Sequence, residues 1–172
     1  RDDVVVVWHD PILVADKCRG PGLAARDQDA PPRSDPDLEN ARGPAIRSLT
    51  LAELGRYRCA ENPHPDRFPA QNHLPTELAG DRYGIASFAE LLDFVDAYAR
   101  SPRKTATQRR AAARVRFNFE TKRDPAHPEY IGDDFNGENP GTIETLVVDL
   151  LRAHGVLARS VLQCFDFRSL WA

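Results

Sequence analysis

The residues best suited to chemistry lie in one short run, Val115 to Lys122, which reads Val-Arg-Phe-Asn-Phe-Glu-Thr-Lys. Successive side chains of a β-strand point to opposite faces, so Asn118, Glu120 and Lys122 would share one face. A carboxylate is a hard ligand for a divalent cation, and an ammonium group neutralises phosphate as a point charge. The run therefore predicts a strand with a face for a cation and an anion. A solvated polar face on an edge strand is the alternative.

A histidine near the N-terminus is the second candidate for chemistry. The apolar, β-branched run Val4 to Trp8 predicts a buried strand, and His9 follows directly at its C-terminal end. Reactive side chains gather at the ends of strands in parallel α/β folds, and the pKa of imidazole lies near neutrality. Although a histidine in this place can simply pack, its combination with the Asn-x-Glu-x-Lys strand favours a general acid or base.

Five segments, in order along the chain, resemble motifs of the bacterial type of the glycerophosphodiester phosphodiesterase family. They match, in turn, a V-V-x-H-D-P segment, an I-x-x-L-T-L-A-E-L helix start, a loop of bacterial members, an L-N-I-E-I-K strand and a Q-S-F-D strand. The matching segments are Val6 to Pro11, Ile46 to Leu54, Phe68 to Gln71, Phe117 to Lys122 and Val161 to Asp166. Cys164 stands where that family usually has Ser.

The resemblance implies an α/β fold, a partial TIM (β/α)8 barrel in which parallel strands carry outer helices and long βα loops. Family members also have a His-Arg pair and a Glu-x-Asp pair on strands upstream of the position of His9. We expect a partial chain that lacks those strands and the C-terminal part of the barrel, because a whole barrel takes about 250 residues and this chain has 172. Residues 1–172 would form a single partial domain.

The implied activity is metal-dependent hydrolysis of a small-molecule glycerophosphodiester to glycerol 3-phosphate and an alcohol. Glu120 would be a ligand of a divalent metal ion, Ca²⁺ or Mg²⁺. Lys122, Asn118 and Gln163 would bind the substrate and its phosphate, and His9 would be the catalytic acid or base. The nucleophile, either water or a hydroxyl of the substrate, stays open. Without the upstream residues, we expect the 172-residue chain alone to be inactive.

Two other functions stay open. A related phospholipase D type of barrel enzyme also uses paired histidines and a metal, but would act on choline lipids. The Leu-Thr-Leu-Ala-Glu-Leu and Phe-Pro-Ala-Gln segments argue against it. A catalytically inactive barrel, retained as a binding module, is the other alternative, and the residues upstream of His9 would distinguish it from an enzyme.

Composition excludes several classes of partner. The net charge of −3 gives no basic footprint for nucleic acid or an anionic membrane. No apolar run approaches the roughly 18 residues of a spanning helix, so we expect a soluble protein without a transmembrane segment. A periplasmic or secreted location is favoured over a cytoplasmic one, and the oligomeric state is open.

The three cysteines, Cys18, Cys59 and Cys164, are too widely spaced for a zinc site and do not form a disulfide framework. We expect small buried residues or unreactive thiols. A Cys18 to Cys59 bridge is the alternative for an exported protein.

Helix signals frame the predicted strands. Thr50 and Ser87 each begin a capping box, and the apolar spacing after Ser87 predicts a helix to about Arg100. A second apolar stripe, from residue 143 to residue 151, predicts a helix closed by His154 and Gly155. The remaining segments are predicted as loops or solvated surface: residues 15–47, 60–84 and 123–142, the basic run 100–114, and His64, His73 and His127, which receive no role.

Overall fold

The computed structural model describes residues 1–15, 17–23, 43–59, 69, 78 and 83–171. The chain divides into two compact units. Unit 1 comprises Arg1–Asp2 and Asp10–Ile85, and unit 2 comprises Asp3–His9 and Ala86–Ala172. The expectation of a single domain over residues 1–172 stays a prediction, because two compact units can belong to one domain.

Unit 1 has short elements. Strand β1 is Cys18–Arg19, a 3₁₀ turn is Ile46–Ser48, helix α1 is Leu51–Leu54 and strand β2 is Arg58–Cys59. The two strands pair antiparallel, with Cys18 opposite Cys59. The capping box predicted at the start of α1 is confirmed: the Thr50 hydroxyl accepts from the Glu53 amide, and the Glu53 carboxylate accepts from the Thr50 amide.

A disulfide bond closes the small core of unit 1. Cys18 and Cys59 are bonded, and Leu13 and Leu54 are fully buried in the same unit. Cys18 and Cys59 are buried, as expected, but they are not unreactive thiols: the bridged alternative is confirmed. Spacing in the sequence could not show this, because the two cysteines meet only when β1 and β2 pair. Cys164 is a free, buried thiol, as expected.

Unit 2 has the larger elements. They are α2 (Phe88–Arg100), α3 (Ala106–Ala113), β3 (Phe117–Thr121), a 3₁₀ turn (Pro128–Tyr130), α4 (Thr142–Ala153), a 3₁₀ turn (Leu157–Arg159), β4 (Ser160–Cys164) and α5 (Arg168–Trp171). Strands β3 and β4 are parallel and in register from Phe117 opposite Ser160 to Thr121 opposite Cys164. Helix α4 connects them, as a parallel pair requires a crossover. The predicted parallel arrangement is confirmed for this pair.

One face of the β3–β4 sheet is covered by helices. Phe119 of β3 contacts Phe88 of α2 edge to face, with 4.4 Å between ring centroids. The buried core is formed by Phe88, Leu92, Phe117, Val147, Leu151 and Val156. The stripes predicted for α2 and α4 are therefore confirmed as the faces that pack on the sheet. Helix α3 carries Arg109 and Arg110 of the basic run and has no buried residue, as a solvated helix face requires.

The N-terminal valines depart from the prediction. Val4 to Trp8 was expected to be a buried strand, but only Val6 pairs, through an isolated antiparallel bridge to Ser87. Val4 and Val7 are 41% and 44% exposed. The backbone bonds of this segment go to the start of α2: the Val7 amide donates to Ala86 and the Phe88 amide donates to Val5. The segment is extended but belongs to no sheet of the described chain.

The described residues form two sheets of two strands each, and together with the helices they make a mixed α/β protein. The partial barrel stays a prediction. Most of the predicted long loops lie outside the described residues, as do His64, His73 and the Phe68 to Gln71 motif apart from Pro69. Within the described ranges, no helix has both the length and the apolar character needed to cross a bilayer.

Candidate active site

Parallel pairing of β3 and β4 brings together residues that are more than 40 positions apart in the sequence. Glu120 lies opposite Gln163, and Asn118 lies opposite Val161, on the sheet face that the helices leave open. The side-chain amide of Asn118 donates to the Gln163 side-chain oxygen at 2.9 Å. Asn118 and Gln163 are exposed, so both amides can reach a ligand in solution.

Glu120 and Lys122 form an ion pair on the same face. The Lys122 Nζ lies 2.7 Å from Glu120 Oε2, and the two side chains are 26% and 20% exposed. The other carboxylate oxygen, Oε1, is buried and has no hydrogen-bond partner among the described residues. A buried carboxylate oxygen without a partner raises the free energy of the folded state, because it has lost its hydrogen bonds to water without gaining a donor or a cation.

His9 lies at the end of the extended segment of unit 2 and is exposed. The indole nitrogen of Trp8, directly before it, is buried without a hydrogen-bond partner in the described structure. Four polar residues lie together at one sheet face: Asn118, Glu120 and Gln163 on the strands, and Lys122 directly after β3. That His9 belongs to the same site and acts as its acid or base stays a prediction.

Sequence reasoning missed a buried arginine beside this face. Arg123 directly follows Lys122, and its side chain is only 4% exposed. Its guanidinium donates to both oxygens of Asp133, at 2.8 Å each, and to both oxygens of Glu144, at 3.0 and 2.7 Å. Burial opposes the charged form of Arg123, but its hydrogen bonds to Asp133 and Glu144 outweigh burial and raise its pKa.

Another buried carboxylate, Asp166, follows the end of β4. Asp166 accepts from Arg168 Nε at 2.9 Å and from Arg168 Nη2 at 2.6 Å. These hydrogen bonds lower the pKa of Asp166 despite its burial.

Phe135, in the loop between β3 and α4, contacts two arginines. Its ring centroid lies 4.1 Å from the Arg123 guanidinium and 5.6 Å from the Arg168 guanidinium.

The alternation of β3 contained a signal for this network. Positions 117, 119 and 121 face the helices, so the same period places position 123 on the buried side. An arginine there requires acidic partners, because a buried charge is rarely left unpaired. The partners themselves could not be chosen from the sequence, since the loop after β3 contains several aspartates and glutamates.

Groups that could hold a metal ion are limited. The part of the chain that the structure describes contains no cluster of three or more His, Cys, Asp or Glu residues placed to bind one. Glu120 is the carboxylate of the open sheet face with an oxygen unpaired among those residues. His127 lies in the loop after β3, where its ring stacks on Tyr130 and its Nδ1 atom lies 3.1 Å from Glu129 Oε1.

Comparison with known proteins supports the fold. No protein-family model and no curated protein matches this sequence. A crystal structure from Silicibacter pomeroyi DSS-3, of a protein provisionally assigned as a glycerophosphoryl diester phosphodiesterase, is similar with a TM-score of 0.58 and 19% identity. The match covers 98% of this chain and 45% of that protein. The chain therefore shares its fold with somewhat less than half of the length of that protein.

Proposed function

We propose that this sequence belongs to a metal-dependent glycerophosphodiester phosphodiesterase and forms part of a parallel α/β barrel. The observation that carries the proposal is the open sheet face, where Asn118, Gln163, Glu120 and Lys122 are assembled by the register of β3 and β4. The fold shared with the Silicibacter pomeroyi protein adds support.

Glu120 fits a divalent cation as one ligand. Its Oε1 atom is buried and unpaired among the described residues, and a carboxylate oxygen in that state is stabilised by a hard cation. A bound Ca²⁺ or Mg²⁺ would polarise a phosphoryl oxygen of the substrate. Because the described residues offer no cluster for the remaining ligands, those ligands would come from other parts of the protein.

The other residues would bind the phosphodiester and move a proton. Lys122 would neutralise a non-bridging oxygen, and the amides of Asn118 and Gln163 would donate hydrogen bonds. Hydrolysis forms one new bond from phosphorus to the attacking oxygen and breaks the bond from phosphorus to the leaving alcohol oxygen. His9 would either accept the proton of the nucleophile or donate the proton that the leaving alkoxide needs.

The test uses the natural full-length polypeptide that carries this sequence. Purified protein is incubated with glycerophosphocholine, and the release of glycerol 3-phosphate is followed with added Ca²⁺ or Mg²⁺ and after treatment with EDTA. We expect release that EDTA abolishes and one of the metals restores. A folded protein that releases no glycerol 3-phosphate with either metal overturns the proposal.

A binding module without turnover is the second candidate. It is favoured by one observation, the exposed amides of Asn118 and Gln163, which can donate to a phosphate without a metal ion. Such a module would bind glycerol 3-phosphate or glycerophosphocholine in calorimetry without releasing product. Binding with no hydrolysis would therefore favour the module, and binding with hydrolysis would favour the enzyme.

A further inference from the structure

The buried side chains of Arg123, Asp133 and Glu144 form an ionic cluster that begins two residues after the end of β3. Four hydrogen bonds of 2.7 to 3.0 Å use the Nε, Nη1 and Nη2 atoms of the guanidinium. Glu144 also accepts from the Ser169 hydroxyl at 2.6 Å, and Asp133 accepts from the amide of Ile143 at 3.4 Å. The two carboxylates thus share one arginine, and a helix-start amide and a hydroxyl supply further donors.

The cluster connects four segments of unit 2. Arg123 follows β3, Asp133 lies in the β3–α4 loop, Glu144 lies in the first turn of α4 and Ser169 lies in α5. Packing is tight, since a Cβ atom added at Gly141 would collide with the side chains of all three charged residues. A glycine at this position lets the loop pass directly over the guanidinium.

Phe135 extends the cluster to the end of β4. Its ring contacts both the guanidinium of Arg123 and that of Arg168, which donates two hydrogen bonds to Asp166. The β3–α4 loop is therefore attached to both strand ends, by an ion pair at Asp133 and by an aromatic contact at Phe135. We call Arg123, Asp133, Glu144 and Phe135 the loop clamp.

We infer that Arg123 is a positioning residue, which acts through the clamp to hold the β3–α4 loop and to set the orientation of Lys122. Arg123 and Lys122 are adjacent, and their side chains have different partners: Lys122 pairs with Glu120, whereas Arg123 pairs with Asp133 and Glu144. Fixing the Arg123 side chain in the buried cluster fixes the backbone from which Lys122 reaches Glu120 at 2.7 Å. The role of Lys122 toward substrate rests on the proposed function, whereas the holding of the loop does not.

The test compares Arg123→Lys with Arg152→Lys in the natural full-length polypeptide. Lysine keeps the charge but lacks the planar fork that bridges two carboxylates. Arg152 is an exposed arginine of α4 and serves as the matched control. We expect Arg123→Lys to raise the KM for glycerophosphocholine about tenfold and to change kcat less than threefold, because a displaced Lys122 weakens phosphate binding throughout the reaction. A purely structural role would lower the active fraction, and hence the apparent kcat, with KM unchanged; that result would overturn the inference.

Hydrogen exchange gives a readout that does not depend on turnover. We expect amides of residues 124–141 to exchange faster in Arg123→Lys, with α2 and α3 unchanged. If the unsubstituted protein neither hydrolyses glycerophosphocholine nor binds glycerol 3-phosphate, the proposed function is wrong. Hydrogen exchange of residues 124–141 is then the measurement that tests the loop clamp. If Arg123→Lys does not fold, Phe135→Leu takes its place, since it removes the aromatic contact and leaves the ion pairs. Unaltered exchange over residues 124–141 in a folded variant overturns the inference in every case.

Discussion

The side-chain amide of Asn118 donates a 2.9 Å hydrogen bond to Gln163 on the neighbouring parallel strand. The two residues are 45 positions apart, and helix α4 lies between them in the sequence. Their bond shows that the polar positions of β3 and β4 share one face. Glu120 lies opposite Gln163 in the same register, so the candidate site depends on this strand pairing.

The carboxylate of Glu120 gives the first prediction. In the natural full-length polypeptide, Glu120→Gln should weaken both divalent metal binding and phosphodiesterase activity, because a neutral amide is a poorer ligand for a hard cation. Calorimetry with Ca²⁺ and Mg²⁺ measures the first effect. Asp149→Asn, at an exposed position of α4, is the control and should behave like the unsubstituted protein. Unchanged metal affinity in a folded Glu120→Gln protein would remove Glu120 from the metal ligands.

The second prediction concerns His9. Since His9 is exposed, His9→Ala should leave the melting temperature nearly unchanged. As a general acid or base, its loss should lower kcat by roughly a hundredfold or more. Steady-state kinetics with glycerophosphocholine and thermal unfolding measure the two effects. A variant with full turnover would show that His9 is not catalytic, and a large drop in melting temperature would indicate a packing role.

The third prediction is a loss of stability in acid. Burial alone would raise the pKa of Asp133, but the hydrogen bonds and charge of Arg123 lower it below its ordinary value of 3.8. A carboxyl whose pKa is depressed in the folded state stabilises the fold above its unfolded pKa. That contribution is lost as the pH falls through the lower, folded value, and Asp166 shifts in the same direction. Stability should therefore decline below about pH 4.

Asp133→Asn isolates this effect. Asparagine cannot ionise, so the variant should be less stable than the parent at pH 7, and the difference should narrow as the pH approaches 3. Melting temperatures across that range, with Asp149→Asn as the exposed control, give the comparison. An equal difference at pH 3 and pH 7 would mean that the charge of Asp133 contributes little.

Much of unit 2 was predictable from the sequence, because local signals there agree with tertiary packing. The capping box at Ser87, the apolar stripes of α2 and α4 and the alternation of β3 each correspond to an observed element. The prediction of a buried strand at Val4 to Trp8 was wrong, because β-branched residues favour an extended backbone but do not specify a pairing partner. The partners of Arg123 and the Cys18 to Cys59 bridge depend on long-range contacts, which no local pattern encodes.

The disulfide gives the fourth prediction. The bonded cysteines are 41 residues apart, and a cross-link over such a span stabilises a fold by about 4 kcal/mol in the chain-entropy model. Replacing both Cys18 and Cys59 by Ser should therefore accelerate hydrogen exchange over residues 43–59 of unit 1. Cys164→Ser is the control, because that thiol is unbonded. Equal exchange in the double variant and the control would show that the bridge adds little to unit 1.

The last prediction concerns the 172 residues expressed alone. Unit 2 exposes several large apolar side chains after the start of β4, among them Val161 at 51%, Phe165 at 74% and Trp171 at 91%. Exposed apolar groups of this size favour association, and among the described strands β3 and β4 pair only with each other, so their outer edges can pair with another chain. We expect concentration-dependent association in sedimentation velocity, which Phe165→Ser combined with Trp171→Ser should reduce. Within the described ranges, Glu120 has no cluster of further ligands beside it, so we expect the 172 residues to bind Ca²⁺ or Mg²⁺ weakly and to release no measurable glycerol 3-phosphate from glycerophosphocholine. A polypeptide that also supplies the His-Arg and Glu-x-Asp strands should bind the metal tightly and release glycerol 3-phosphate. Strong metal-dependent turnover by the 172 residues would show that they assemble a complete site themselves and that the partial barrel is the wrong description.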